Sequence, residues 1–284
     1  MRLARGSAGS QRGATPAILV LPCRVHRRLG QHFLRPASVE KLLRVLAPAA
    51  DEVFLEIGPG RGALTLPLAA LCARVVAIEI DTRLADRLRE RAPANVEIVS
   101  GDALRVDLAA HVPPGGRLVG NLPYYVSSPL LRRFLDLAGR VSDVHVMLQD
   151  EVARRVASPP GSKEYGILSV LYALRADVDI AARFPPGAFE PPPRVHSALL
   201  RARFRTQPRA DVTDLPSFER LVQAAFQRRR RTLENNLEHS YPHLKEYFRF
   251  LLNVEGSRRA ETLSVVEFAE LWRALEKRIP EAKG

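Results

Sequence analysis

Strand-like runs alternating with helix-like stretches constrain this 284-residue chain more than any other feature. Five short apolar runs rich in β-branched residues recur: VFLEIG (53–58), RVVAIEI (74–80), VEIVSGDA (96–103), GRLVGNLP (116–123) and DVHVMLQ (143–149). Between them lie helical stretches such as ALTLPLAALC and RLADRLRERA. Near-continuous apolar strands separated by helices predict an α/β fold on a parallel sheet with both faces covered. A helix is expected from about residue 36, with Ser38 as its cap and Val39, Leu42, Leu43 and Leu46 at helical spacing. Two further runs, near 177–184 and 197–205, are expected to finish the sheet as an antiparallel edge pair around the proline-rich FPPGAFEPPPRV (184–195). Beyond RTQPRADVTD (205–214) no strand signal remains. FERLVQAAFQRRRRTLENNLEHS and VVEFAELWRALEKRI read as amphipathic helices, so the expected division is a main domain over 26–210 and a small helical domain over 211–284.

Charge narrows the partners. Lys and Arg number 43 against 31 Asp and Glu, a net +12. A surplus of that size suits a polyanion such as nucleic acid, because each neutralised phosphate releases condensed counterions. Residues 1–35 carry seven Arg and no acid. That composition fits a transit peptide, and equally a disordered basic arm or an upstream start codon read in error; over 1–25 a disordered arm is expected. Its apolar stretch AILVL is too short for a signal-peptide core or a membrane span. Cys23 and Cys72 have no metal-ligand spacing and imply no disulfide framework. The expectation is a cytoplasmic, metal-free, membrane-free protein.

EIGPGRGALT (56–65) follows the first strand and opens a helix. Gly58, Gly60 and Gly62 let the backbone approach a ligand, although a tight strand-to-helix turn needs glycines too. An acid, Glu56, precedes them and suits a positively charged ligand better than a pyrophosphate. Glu79 ends the second strand, 21 residues after Gly58, the place for a ribose acceptor. Asp102 lies just past the third strand, where a carboxylate can accept from an adenine amino group. Each acid alone is an ordinary turn residue. All three on the carboxyl edge of the sheet indicate a nucleoside cofactor, and S-adenosylmethionine fits better than a nicotinamide dinucleotide because no pyrophosphate cradle is evident.

GNLPYYVSSP (120–129) puts an asparagine, a proline and two tyrosines at the end of the fourth strand. The Asn121 side-chain carbonyl and the Leu122 backbone carbonyl can both accept from an exocyclic amine. Pro123 stiffens the turn and has no N–H. Tyr124 can stack on a base turned out of its helix. An aryl amine is a poor nucleophile, and two acceptors on its hydrogens favour a pyramidal nitrogen aimed at a methyl donor.

These motifs resemble the ribosomal RNA adenine N6-dimethyltransferase family, and within it the small-subunit (KsgA-type) branch. The resemblance runs from about residue 26 to the end. HRRLGQHFL (26–34) resembles the family's motif usually read as G-Q-N-F-L. EIGPGRG, NLPY and FEPPPRV stand where the family has E-x-G-x-G-x-G, N-L-P-Y and F-x-P-x-P-x-V, and AAFQRRRRTLENNL (224–237) resembles the opening of the branch's helical domain. The resemblance implies a Rossmann-like S-adenosylmethionine-dependent methyltransferase sheet with a small C-terminal helical domain. It implies dimethylation of two adjacent adenosines in the 3′-terminal hairpin loop of small-subunit (16S) rRNA, late in subunit assembly. Cofactor contacts would fall on His32, Leu34, Gly58, Gly60, Glu79, Asp102 and Asn121. The target adenine would meet Asn121, Leu122, Pro123 and Tyr124, with Phe189 as a second aromatic. His32 departs from the family's usual Asn, which implies altered affinity rather than lost binding.

Other readings fare less well. A large-subunit rRNA methylase is disfavoured by the helical-domain motif and by the Leu of NLPY; a DNA amine methylase usually shows D-P-P-Y. An assembly factor with secondary catalysis would not need the acids, glycines and Asn121 together, and a dehydrogenase lacks its phosphate cradle. The RRRR run (228–231) reads either as a solvated helix face or as an rRNA phosphate contact, and beside Phe226 and LENNL the second is expected. With no exposed apolar seam in the pattern, a monomer is expected.

Overall fold

The apolar runs do pair side by side, and the sheet they form is longer by two strands. A computed structural model of the chain describes residues 32–246, 255–276 and 278. The arm expected over 1–25 and the start of HRRLGQHFL lie outside the described residues. The strands are β1 (Phe33–Leu34), β2 (Val53–Ile57), β3 (Arg74–Glu79), β4 (Val96–Ser100), β5 (Gly116–Asn121), β6 (Val141–Gln149), β7 (Ala176–Phe184), β8 (Phe189–Glu190) and β9 (Ser197–Phe204). Seven of them form one sheet in the order β4-β3-β2-β5-β6-β9-β7. β4 through β6 run parallel, and β9 is antiparallel to both β6 and β7. The expected antiparallel pair is therefore present, with β7 at the edge and β9 inside it. The chain runs outward from β2 to β4, then returns to β5, so the order reverses between β2 and β5. Open α/β sheets form a crevice at such a point, outside the carboxyl ends of the strands.

The apolar runs lack polar alternation because both faces are buried. Phe54, Val75, Val119, Met147 and Leu199 pack on one face against α1 (Pro36–Leu46) and α2 (Thr65–Ala69). Leu55, Val76, Leu118, Val146 and Leu200 pack on the other, where α4 (Ser127–Phe134) contributes Leu131 and Phe134. α3 (Thr82–Arg89) adds a small cluster of Ala85 and Leu88 with Ala77 and Ile98. α1 starts at Pro36, as expected, but with Arg35 instead of Ser38 at the cap position and no side-chain cap. Proline suits that first position because its N–H would be unpaired there; Ser38 lies buried in the first turn.

At the amino end of the strands, opposite the crevice, Arg117 is nearly buried. Its guanidinium bonds Glu52 at 2.9 Å and both oxygens of Asp143 at 3.0 and 3.1 Å, tying β5 to β6 and to the start of β2. Leaving any of these charges buried without its partner would cost several kcal/mol. After β6 come α5 (Asp150–Ala157) and α6 (Ile167–Arg175), then beyond β9 the helices α7 (Leu215–Ala225), α8 (Leu233–Ser240) and α9 (Val265–Leu275). Phe218, Leu221 and Trp272 of this helical part share one core with Tyr172 of α6 and with Tyr165 just before it. The run expected as one helix over 218–240 breaks between α7 and α8, so RRRR forms a turn instead of a helix face. Buried Asn236 holds that turn, donating to Ala225 O at 2.8 Å and Arg228 O at 3.1 Å.

Gly120, one residue before the end of β5, sets how closely β5 approaches β2: a Cβ there would lie 2.7 Å from Ile57 O. Gly120→Ala is expected to lower stability by about 1–3 kcal/mol through overpacking against backbone. Urea unfolding reads this as a lower midpoint, and an unchanged midpoint would mean the strands separate freely.

Candidate active site

The crevice at the β2/β5 switch is a cleft of about 1080 Å³ including its open mouth. The glycine loop forms its floor. Gly60 and Gly62 have φ of +56° and +79°, a region that side chains rarely adopt. A Cβ on Gly60 would lie 2.9 Å from the Phe33 ring, and one on Gly62 2.4 Å from Leu88 Cδ1. Only Gly58 and Gly60 line the cleft; Gly62 is needed for packing on α3.

The three carboxylates sit at three strand ends in different surroundings. Glu56 is buried and its Oε2 has no hydrogen-bond partner. Burial pushes its carboxyl up to about 7; the Thr65 hydroxyl nearby forms no well-aligned bond and offsets this only in part, while the charge of Glu79 adds to it. Glu79 is also raised by burial, but its two oxygens accept from Gly60 N and Asp81 N, each at 2.9 Å. It thereby shapes the glycine loop and keeps further lone pairs for hydroxyls. Asp102 Oδ1 accepts from Leu104 N at 2.9 Å, and its Oδ2 lies 3.7 Å from Arg105 Nε.

Across the cleft, Asn121 ends β5. Its Nδ2 donates to the His32 carbonyl at 2.7 Å, so its Oδ1 remains as the acceptor end. Leu122 N–H donates to Met147 O at 3.3 Å, beyond the last strand residue of β5, and Pro123 follows without an N–H. Tyr124 starts a 3₁₀ turn; its hydroxyl lies 2.8 Å from Ser197 Oγ, and its ring faces His32 with centroids 5.7 Å apart. Burial raises the Tyr124 phenol, with the Ser197 bond opposing.

His32, Leu34, Gly58, Gly60, Glu79, Asp102, Asn121, Leu122, Pro123 and Tyr124 all line this one cleft. Phe189 does not: it is 1% exposed, opposite Leu34 in the β1–β8 pair. Sequence reasoning missed Phe33, whose ring lies under the Arg61 guanidinium at 4.5 Å, and Tyr125, an aromatic 58% exposed at the cleft mouth. Burial and the charges of Asp102 and Glu79 raise the Tyr125 phenol. Tyr125 was legible in the quoted NLPYY; Phe33 gave no signal beyond its place in the N-terminal motif.

The chemistry of these donors fits S-adenosylmethionine. Glu56 would meet a cation, Glu79 ribose hydroxyls and Asp102 an adenine amino group. A reversed-order α/β sheet, such acids at its carboxyl edge and an acceptor pair on Asn121 and Leu122 define a Rossmann-like methyltransferase. The chain belongs to the ribosomal RNA adenine dimethylase family, whose model matches residues 23–277. Ribosomal RNA small subunit methyltransferase A of Geobacter metallireducens is 43% identical over 89% of this chain and 96% of its own. The protein of that name from Leptothrix cholodnii is 40% identical over 88% and 92%. Among solved structures, a dimethyladenosine transferase from Plasmodium falciparum matches with TM-score 0.73 and 25% identity, over 87% of this chain and 98% of that one. The 23S rRNA methyltransferase ErmE matches with TM-score 0.63 and 26% identity, over 86% and 99%. The chain is thus an S-adenosylmethionine-dependent rRNA adenine dimethyltransferase. No cluster of three or more metal-ligating side chains occurs among the described residues, and no helix among them is long and apolar enough to cross a membrane.

The Glu56 carboxyl has an ordinary value of 4.5 and about 7 in the fold. The unfolded chain releases this proton first, so stability is full below pH 4.5 and falls as pH rises towards 7. The loss is about 3 kcal/mol at most. Glu56→Gln, neutral throughout, is expected to remove that part of the slope, read as the difference between the two proteins' urea midpoints at pH 5 and pH 8. Parallel slopes would place the raised group elsewhere.

Proposed function

We propose that the chain dimethylates N6 of two adjacent adenosines in the 3′-terminal hairpin loop of small-subunit rRNA, late in subunit assembly, as a cytoplasmic monomer. The observation that carries the chemistry is the tethered Asn121 amide, whose Nδ2 donates to His32 O while Oδ1 stays available to accept from the amine. When bound, S-adenosylmethionine supplies an electrophilic methyl on its sulfonium. Asn121 Oδ1 and Leu122 O accept the two N6 hydrogens, turning the nitrogen lone pair out of the ring and towards that methyl. Tyr124, fixed by Ser197, holds the plane of the base. The proton lost from N6 passes to solvent. Catalysis is by position and local dipoles and needs no strong base. Support for the small subunit as target comes from relatives named for it, at 40–43% identity against 26% for ErmE.

The helical part from residue 211 is proposed as the rRNA-binding domain, with the arginine turn at its surface. Arg229 donates to Lys163 O and Tyr165 O, and Arg228 lies 3.2 Å from His239. The side chains of Arg230 and Arg231 are exposed with no partner among the described residues, placed for phosphates.

The test is transfer of labelled methyl to small subunits lacking the modification. Wild type is expected to give N6,N6-dimethyladenosine in the 3′-terminal hairpin, and Asn121→Ala to lower the rate roughly 10²–10³-fold, as for loss of one positioned dipole. Arg230→Ala with Arg231→Ala is expected to reduce the salt slope of subunit binding by about one for each phosphate left without its arginine. Label appearing only in large-subunit RNA or DNA would overturn the target, and an Asn121→Ala variant of full rate would overturn the mechanism.

A further inference from the structure

We infer that Tyr125 is a further cofactor-binding residue, whose ring covers the nucleoside half of S-adenosylmethionine at the mouth of the cleft. This rests on the reading of the cleft as the cofactor site. Tyr124 and Tyr125 are neighbours in sequence, yet they turn to opposite sides of the cleft. The Tyr124 hydroxyl lies 2.8 Å from Ser197 Oγ on β9, which stands beyond β6 in the sheet. Besides burial, the charges that act on the Tyr125 phenol are those of Asp102, past β4, and Glu79, at the end of β3. β3 and β4 stand across β2 from β5, which carries the tyrosines at its end. The Tyr125 side chain therefore reaches back over the cleft, towards the acids placed for the ribose and the adenine.

Tyr125 is 58% exposed, and its hydroxyl has no hydrogen-bond partner among the described residues. Ile80, directly after Glu79, lines the same cleft and is 40% exposed. The nucleoside end of the mouth thus carries two large hydrophobic side chains that the fold itself leaves uncovered. Such surface gains from burial when a ligand fills the space beside it. An adenosine meets both needs. Its hydroxyls and amino group suit the two acids, and the flat apolar face of its base suits an aromatic ring. Because the acids nearest Tyr125 are the two assigned to the nucleoside, the contact falls on that half of the cofactor.

The experiment titrates the full chain by calorimetry, without RNA, comparing wild type with Tyr125→Ala and Tyr125→Phe. The probes are S-adenosylhomocysteine and 5′-methylthioadenosine, which lacks the amino-acid half. Tyr125→Ala is expected to weaken both probes alike, roughly tenfold, as loss of a base–aromatic contact does. Tyr125→Phe keeps the ring and is expected to stay close to wild type. The side chain is exposed, so both variants are expected to keep the wild-type urea midpoint. Unchanged affinity of Tyr125→Ala for both probes would overturn the inference. A loss confined to S-adenosylhomocysteine would move the contact to the amino-acid half and overturn it too, as would a phenylalanine variant as weak as the alanine one. Unchanged probe affinity with weaker binding of small subunits would assign Tyr125 to the RNA instead. Failure of wild type to bind either probe would overturn the reading of the cleft itself, which keeps the two failures apart.

Discussion

The hydrogen bond from Asn121 Nδ2 to His32 O joins the central strand of the sheet to the segment that enters it. An amide has a donor end and an acceptor end, and a scaffold that occupies the donor dictates what the acceptor faces. Much of the surrounding structure fixes the height and rotation of that one side chain. Gly120 lets β5 close on β2. Arg117 pins the opposite end of β5 to β6 and the start of β2. A slip of one residue along β5 would turn Asn121 to the other face of the sheet, with every apolar side chain of the strand misplaced alongside it.

The acids show how one residue type takes different tasks according to its surroundings. Glu56 and Glu79 both lie at the ends of buried strands. Glu79 is satisfied by two backbone N–H groups and so helps to build the glycine loop that it would share with a ribose. Glu56 has an oxygen with no partner, and burial favours its neutral form. Asp102, on the turn beyond β4, is the most open of the three and keeps one oxygen for Leu104 N.

The sheet was legible because parallel strands buried on both faces must be apolar along their length, and the site was legible because it lies at the ends of those strands. What escaped the sequence depends on tertiary partners. Ser38 looked like a cap by residue type, but Pro36 takes the first helical position and Ser38 is carried into the turn. The arginine run has helical spacing on both sides, yet Asn236, five residues after Arg231, draws the chain into a turn through two backbone carbonyls. Phe189, which the resemblance implies as a second aromatic for the base, lies buried opposite Leu34. Pro191 and Ser197, which hold His32 and Tyr124, carry no local signal, since a backbone carbonyl and a buried hydroxyl become functional only through what folds onto them.

The most direct test of the central claim is a structure of the protein with S-adenosylhomocysteine and the small-subunit hairpin. The target adenine N6 is expected within hydrogen-bond reach, about 2.7–3.2 Å, of both Asn121 Oδ1 and Leu122 O, with Asn121 Nδ2 still on His32 O. An adenine whose N6 lies out of reach of both oxygens, or an Asn121 amide turned to present Nδ2 to the base, would contradict it.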